Sequence, residues 1–161
     1  MSLTAVNKPL GYMPVKIRKA DKTDVPAILK LIQELAEFEK APHEVVNTVA
    51  QLEQDGFGAL PLYICFVAEV QGQIIGMSFC YTRYSTWKGP CLYLEDLIVT
   101  KAYRGQGYGQ RLFEHTLQYA QTNHFKRLQW QVLDWNQSAI DFYKGFNAVL
   151  DDEWVNAYLE F

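Results

Sequence analysis

The sequence predicts an α/β fold in which a mixed sheet of about six to seven strands is flanked by about four helices. Three strand-like segments, residues 63–70, 74–84 and 92–99, are joined by short turns and should pair antiparallel. A glycine loop then leads from the last of them into a helix and a further strand, residues 128–133. Such a strand-helix-strand unit is parallel and right-handed.

The remaining elements follow in order. Residues 14–19 alternate as a first strand, and Asp21 to Asp24 supply the start of a helix whose first turn tolerates Pro26. A second short helix is predicted over residues 43–55, closed by the glycines of residues 56–58. After residue 133 we expect a helix over residues 136–143 and a closing strand pair, residues 148–150 and 154–161.

Composition describes an ordinary globular domain: 161 residues are 49% hydrophobic, 14% aromatic and 20% charged. We expect one domain over residues 13–161 after a weakly ordered tail, residues 1–12. The net charge of -3 does not indicate the basic surface of a nucleic-acid-binding protein. No secretory pattern and no apolar run near ~18 residues is present, which predicts neither secretion nor membrane spanning.

Three cysteines, Cys65, Cys80 and Cys91, lie in apolar strand segments without the spacing of a metal or redox motif. We interpret them as reduced core residues of a cytoplasmic protein. None has a base nearby in sequence, so a covalent route through a cysteine is disfavoured. No ligand cluster supports metal catalysis.

The glycine loop is the clearest chemical signal. Arg104, Gly105, Gln106, Gly107, Tyr108 and Gly109 follow a strand and open a helix, where bare N–H groups bind an anion. It lacks the Gly-Lys-Ser/Thr of a nucleotide-triphosphate loop and the spacing of a dinucleotide fingerprint. Arg104, and Lys101 or Arg111, would add positive charge. A plain helix-start turn is the alternative.

Acidic residues form a second signal. Glu95 and Asp96 interrupt the strand before the loop, and strict alternation would point them to opposite faces, one towards a cleft. A buried carboxylate that accepts backbone hydrogen bonds is the alternative for either. Glu34, Glu37 and Glu39 end the first helix, either as a solvated face or as a rim that attracts cations.

Several segments together resemble the Gcn5-related N-acetyltransferases, the GNAT superfamily, from Val15 to the C-terminus. The loop has that superfamily's Arg/Gln-x-x-Gly-x-Gly/Ala form. Within it, the chain resembles the diamine (spermidine/spermine) acetyltransferases and is most similar to the thialysine N-epsilon-acetyltransferase branch. The segments that carry this resemblance are residues 31–36, 55–58, 84–89, 93–96, 132–137 and 142–144.

The resemblance implies acetyl-CoA as the donor, with its pyrophosphate on the loop amides and its pantetheine arm beside a splayed or bulged central strand. An amide at Leu97 would stabilise the oxyanion of acyl transfer by ~3 kcal/mol. Asn136 would bond to the cofactor arm, and an N-cap of the following helix is its structural alternative. The implied cofactor-binding residues are Leu97, Ile98, Val99, Arg104, Gly105, Gln106, Gly107, Tyr108, Gly109, Gln110, Asn136, Ser138 and Tyr143.

Two residues hold the implied catalytic positions. Tyr143 matches the family's general-acid position. A tyrosine suits this role, since a phenol with a pKa of ~10 can protonate the departing thiolate without being ionised at neutral pH. Glu95 is favoured as acceptor of the proton that the ammonium must lose, through water. A core tyrosine without a catalytic partner is the alternative for Tyr143.

The acceptor end is implied by further matches. Phe38, Glu39 and Trp87 match residues that line the family's amine tunnel, where core packing is the alternative for the aromatic side chains. Asp96 would hold a second positive charge or make a structural bond. Ser85 stands where the polyamine branch has an acid, which counts against spermidine and spermine. Asn147 replaces the usual glycine and is able to adopt the same left-handed conformation.

These observations predict a cytoplasmic enzyme that transfers acetyl directly from acetyl-CoA to the primary amine of a small cationic acceptor, a thialysine-like amino acid or a diamine. Polyamine acetylation is one alternative, and a non-catalytic acyl-CoA-binding module is an alternative of another class. We expect a homodimer, and no nucleic acid, membrane or metal partner.

Overall fold

The computed structural model describes residues 13–161, so the predicted tail, residues 1–12, lies outside the described residues. The chain forms two compact units that divide between Trp130 and Gln131. Within the described residues, no helix is both long and apolar enough to cross a bilayer.

The first unit is built on one five-stranded sheet in which the strands lie in sequence order. All neighbouring strands are antiparallel except the last two, which are parallel. The mixed sheet is therefore confirmed, with fewer strands than the predicted six to seven. The strands are β1 (Lys16–Lys19), β2 (Ile64–Val70), β3 (Gln73–Ser85), β4 (Gly89–Val99) and β5 (Leu128–Gln129).

Three helices belong to this unit: α1 (Val25–Phe38), α2 (Val49–Phe57) and α3 (Tyr108–Thr122). One face of the sheet packs against α1, where Ile28 and Leu31 contact side chains of β2, β3 and β4. The other face packs against α3 through Tyr108 and Leu112. This three-layer arrangement follows from strands that are apolar on both faces.

The start of α2 differs from the prediction. Residues Pro42–Glu44 form a separate 3-10 turn, and the helix begins only after Thr48, whose hydroxyl accepts a hydrogen bond from the Gln51 amide. A hydroxyl in this position satisfies an otherwise unpaired helix amide and so determines where the helix begins. The helix also continues through Gly56 to Phe57, past the predicted end.

The β2–β3 hairpin has the predicted glycine turn. Gln71 and Gly72 connect the strands with φ values of 50° and 78°. Two consecutive residues with positive φ give a turn whose twist matches that of the paired strands.

Strand β4 is irregular at the acids. Cys80 of β3 pairs with Leu94, and the preceding Phe79 pairs with Asp96, so Glu95 is an extra residue without a cross-strand partner. Strand β5 pairs only with Leu92 and Tyr93. Among the described residues, the β5-side edge of β4 therefore has no ladder partner beyond Tyr93. The resemblance implied a splayed or bulged strand here, and the bulge is present.

The second unit contains helix α4 (Gln137–Lys144), which confirms the predicted short helix. Asn147 has a φ of 59°, the left-handed conformation predicted for it. The predicted closing strands, residues 148–150 and 154–161, were wrong, since no strand is assigned there, and the strand predicted over residues 128–133 ends at Gln129. An alternating sequence forms a strand only where a neighbour pairs with its backbone.

The three cysteines are buried and free, as predicted. Their low exposure agrees with a role as small apolar core residues.

Candidate active site

The bulge in β4 contains two adjacent carboxylates, Glu95 and Asp96. Asp96 pairs with Phe79, which packs with the α1 side of the core. Glu95, the extra residue, lies close enough to Asp96 to affect its titration. The bulge interrupts the strict alternation from which we expected the two acids to face opposite sides.

Burial perturbs both carboxylates. It is the main cause that raises the pKa of Asp96 to about 7, and the charges of Glu95 and Glu39 raise it further. Partial burial also raises the pKa of Glu95. A carboxylate whose pKa approaches neutrality is a better proton acceptor than an ordinary one, so this site can remove a proton from an ammonium.

Helix α1 ends beside these acids. Burial raises the pKa of Glu39, which follows the last helical residue, and its charge acts on Asp96. Phe38, predicted for the amine tunnel, has its ring centroid 5.6 Å from the guanidinium carbon of Arg104. The end of α1 therefore adds a carboxylate near Asp96 and an aromatic ring beside Arg104.

Two tyrosines line the same region, and neither was predicted from the sequence. Tyr81 and Tyr93 are cross-strand partners whose ring centroids are 5.1 Å apart. Burial raises the pKa of each, and the charge of Glu95 raises both further. The signal that could have identified them is the pairing register, since Tyr81 lies two residues from Phe79 on the same face.

The glycine loop has the geometry of an anion site. Gly105 and Gly107 have φ values of 73° and 81°, which other residues rarely adopt. Gly107 precedes α3, and no side chain of the described residues caps this helix. A Cβ at either glycine would meet no atom within 4 Å, so the loop backbone is open to a ligand. The first-turn amides are therefore available to a pyrophosphate.

Arg104 is held against the protein. Its Nε donates to the Val99 carbonyl at 2.7 Å, and its Nη2 donates to Glu34 at 3.3 Å. Arg104 therefore has a structural role in addition to its predicted role of offering positive charge to an anion. Lys101 and Arg111, the other predicted cations, have exposed side chains.

The strand segment between the acids and the loop holds the residues predicted for the pantetheine arm. Ile98 and Val99 are buried, and Leu97 is half-buried. These residues pair with β3 on one side only. An unpaired strand edge offers N–H and C=O groups that an extended amide-containing ligand can bind.

Trp87 and Ser85 belong to the β3–β4 turn. The Ser85 hydroxyl accepts hydrogen bonds from the amides of Trp87 and Lys88 at 3.3 and 3.2 Å. Ser85 lies five residues beyond the bulge at Cys80, roughly 17 Å along the strand. The first unit therefore does not bring Trp87 to the acids, and its indole is 83% exposed.

The second unit carries the other predicted residues on or beside α4. The Asn136 side chain accepts a hydrogen bond from the Ala139 amide at 3.2 Å, which is the predicted N-cap. Ser138 is exposed in the first turn, and Tyr143 is buried against Phe142 with ring centroids 5.1 Å apart.

Comparison with known proteins identifies the family. Residues 28–147 match the Acetyltransferase (GNAT) family. The chain is 42% identical to a Bos taurus thialysine N-epsilon-acetyltransferase, covering 83% of this chain and 84% of the relative. It is 38% identical to a Homo sapiens spermidine/spermine N(1)-acetyltransferase-like protein 1, covering 83% of this chain and 20% of the relative.

A solved structure shares the fold. The crystal structure of an aminoglycoside acetyltransferase from an uncultured soil metagenomic sample superimposes with a TM-score of 0.76 at 22% identity. It covers 91% of this chain and 96% of that structure. With the family match and the relatives above, this chain is an acetyl-CoA-dependent N-acetyltransferase that belongs to the GNAT acetyltransferase family.

Proposed function

We propose that this enzyme transfers an acetyl group directly from acetyl-CoA to the primary amine of a thialysine-like amino acid or short diamine. The observation that carries this proposal is the bulge, where Glu95 and Asp96 are adjacent and the pKa of each is raised by burial. Carboxylates at this point attract an alkylammonium and can take its proton. The 42% identity to a thialysine N-epsilon-acetyltransferase supports the acceptor class.

The donor half consists of the loop and the open edge of β4. Acetyl-CoA supplies the acetyl group, and the residues present fit it, because a Cβ at Gly105 or Gly107 would meet no atom within 4 Å and no side chain of the described residues caps α3. We assign the pyrophosphate to residues 105–110 and the pantetheine arm to Leu97, Ile98 and Val99. The Leu97 amide would donate to the acetyl carbonyl oxygen as negative charge develops there.

The acceptor half prepares the nucleophile. We assign Glu95 as the residue that takes the ammonium proton, through water, since its pKa is raised by partial burial. Asp96 and Glu39 add negative charge beside it and hold the cation. Only the neutral amine has the lone pair needed for attack, so deprotonation near Glu95 directly controls the rate.

The second unit supplies the remaining proposed roles. Tyr143 would give its phenol proton to the departing sulfur. Asn136 and Ser138 would bond to the cofactor arm. The N-cap bond of Asn136 uses its side-chain oxygen and leaves its amide nitrogen for a second partner.

Polyamine acetylation is the second candidate, and the 38% identity to a spermidine/spermine N(1)-acetyltransferase-like protein favours it.

We also propose a cytoplasmic homodimer. The three free cysteines support the location. The exposed apolar side chains of the C-terminal segment, Val149, Trp154, Val155, Tyr158, Leu159 and Phe161, support an interface with a second copy. Light scattering after size exclusion measures the oligomeric state.

The deciding experiment is a CoA-release assay with thialysine, lysine, putrescine, spermidine and spermine. We expect the highest kcat/KM for an amino acid or short diamine. A preference for spermine would favour the polyamine candidate. Tight acetyl-CoA binding without CoA release from any amine would support a binding module.

The catalytic assignments need two variants. Tyr143→Phe should lower kcat at least tenfold with little change in acetyl-CoA affinity. Glu95→Gln should lower kcat most at pH values between the pKa of Glu95 and the pKa of the amine, where the wild-type carboxylate is ionised and the amine is protonated. Tyr84→Phe, which removes an exposed phenol outside the proposed site and interface, is the control. Wild-type turnover of Tyr143→Phe would contradict its role.

A further inference from the structure

A cationic side chain, that of Arg83, lies beside the two tyrosines next to the bulge. Tyr81 and Arg83 are separated by one residue on β3, so they project from the same face. The guanidinium carbon of Arg83 lies 5.9 Å from the centroid of the Tyr93 ring. Burial, and then the charge of Glu95, raise the pKa of Tyr81 and of Tyr93, and the charge of Arg83 opposes this rise. The paired rings therefore lie between a carboxylate and a guanidinium.

The spacing of these charges matches an elongated acceptor. Arg83 is three residues from Cys80, which adjoins the bulge, so about 10 Å of strand separates it from the Glu95 position. The Arg83 side chain extends over the Tyr93 ring and shortens this gap. An acceptor with its amine at Glu95 would thus place the other end of its chain near Arg83.

Arg83 has no carboxylate partner within the described part of the chain. None of the ion pairs or hydrogen bonds of residues 13–161 includes its guanidinium. Its neighbour on the same face, Ser85, is uncharged, and the turn beyond adds Lys88. This end of the hairpin is therefore positive, whereas the bulge end is negative.

A positive end disfavours a second ammonium and favours a carboxylate, which a guanidinium binds through two parallel N–H bonds. We propose that Arg83 binds the α-carboxylate of an amino-acid acceptor whose side-chain amine lies at Glu95. The assignment rests on the proposed function and narrows it. The substrate is an α-amino acid with a terminal primary amine, of the lysine, ornithine or thialysine type, rather than the corresponding diamine.

The test compares acceptors that differ only in the carboxylate: lysine with cadaverine, and ornithine with putrescine. For the wild-type enzyme, kcat/KM should be higher for the amino acid of each pair. Arg83→Gln should lower the lysine-to-cadaverine ratio at least tenfold, mainly through the KM for lysine. Arg83→Lys should restore part of the ratio, because it keeps the charge and loses the two-pronged geometry.

Lys88→Gln is the matched control, since it removes an exposed cation from the same hairpin. Its ratio should stay at the wild-type value, and an equal fall would mean that only bulk charge matters. Calorimetry measures lysine binding to the CoA-bound protein without turnover. Arg83→Gln should weaken lysine binding by the same factor by which it lowers the lysine-to-cadaverine ratio. Thermal unfolding confirms that each variant is folded.

The failures are distinguishable. If the wild-type enzyme acetylates the amines but Arg83→Gln keeps the wild-type ratio, the assignment of Arg83 is overturned while the proposed function stands. If no amine releases CoA and calorimetry detects no lysine binding, the proposed function and the assignment fall together.

Discussion

Glu34 and Arg104, which are 70 residues apart in sequence, join helix α1 to the first residue of the glycine loop. One carboxylate oxygen of Glu34 accepts from Arg104 Nη2 at 3.3 Å and from the Lys101 amide at 2.8 Å. Helix α1 also carries Phe38, which contacts the same guanidinium. The helix that precedes Glu39 is therefore bonded to residues 101 and 104, where the glycine loop begins.

Glu34→Ala should weaken acetyl-CoA binding without unfolding the protein. Partly exposed pairs of this kind contribute roughly 0.2–1 kcal/mol, so we expect the KM for acetyl-CoA to rise about two- to fivefold. Glu34→Gln keeps an oxygen that can accept from the Lys101 amide, so its KM for acetyl-CoA should lie between those of the wild type and Glu34→Ala. Glu37→Ala, on an exposed position of the same helix, is the control, and an equal effect from it would contradict the role of Glu34.

Gly56→Ala should destabilise the first unit. A Cβ at Gly56 would lie 2.2 Å from Cζ of Tyr63. The Tyr63 ring is stacked on Phe79 at 4.2 Å, and its hydroxyl donates to the Leu52 carbonyl at 2.6 Å, so displacing the ring breaks both contacts. We expect a loss of about 1–3 kcal/mol in the free energy of unfolding, measured with urea.

The control for that variant is Gly109→Ala, where the nearest atom to the new Cβ is 3.8 Å away. Its free energy of unfolding should be unchanged or higher, because alanine favours a helix. Equal stability of the two variants would contradict the steric explanation.

Asp96→Asn should raise stability above pH 7 but not at pH 4. Burial, Glu95 and Glu39 raise the pKa of Asp96 to about 7 from an ordinary 3.8. The folded state therefore holds a proton that the unfolded state releases, and stability falls as pH rises from about 4 to 7. The full effect is at most about 4 kcal/mol. A wild-type-to-variant difference that does not change with pH would exclude this explanation.

Asp24→Asn should have the opposite pH dependence. Two hydrogen bonds from Arg18, at 2.6 and 2.9 Å, lower the pKa of this buried carboxyl. Its stabilisation is present above the unfolded pKa and is lost as pH falls through the lower folded value. The variant should lose about 3 kcal/mol at neutral pH, because it leaves Arg18 with an incomplete set of partners.

Urea unfolding across the pH range measures this loss, and Lys22→Gln is its control. Lys22 pairs with Glu53 at 3.2 Å through a largely exposed side chain, so its removal should change stability by roughly 0–1 kcal/mol. A loss from Asp24→Asn no larger than that of the control would contradict a strong Arg18–Asp24 pair.

The glycine loop and its flanking elements could be predicted because their signals are local. Glycines at Gly105 and Gly107 permit positive φ, and an apolar strand and an amphipathic helix lie on either side. The start of α2 could not be located from periodicity, because the Thr48 hydroxyl decides it. The alternating C-terminal segment was predicted as strands, but alternation does not supply the neighbour that a strand requires.

The candidate site was only partly predictable for a related reason. The resemblance identified Glu95 and Asp96, but alternation alone assigned them to opposite faces. Contacts such as Glu34 with Arg104, or Tyr81 with Tyr93, depend on distant segments meeting in space, and no local pattern encodes them. The charge of Arg83 was visible in the sequence, but its position over Tyr93 was not.

The unpaired position of Glu95 separates chemistry from folding. Because this residue has no partner on β3, replacing it changes no cross-strand pair and shifts no register. Its neighbours, by contrast, are constrained by the ladder on one side and the core on the other. Replacing Glu95 should therefore change the rate of acetyl transfer with little loss of the stability that the other residues provide.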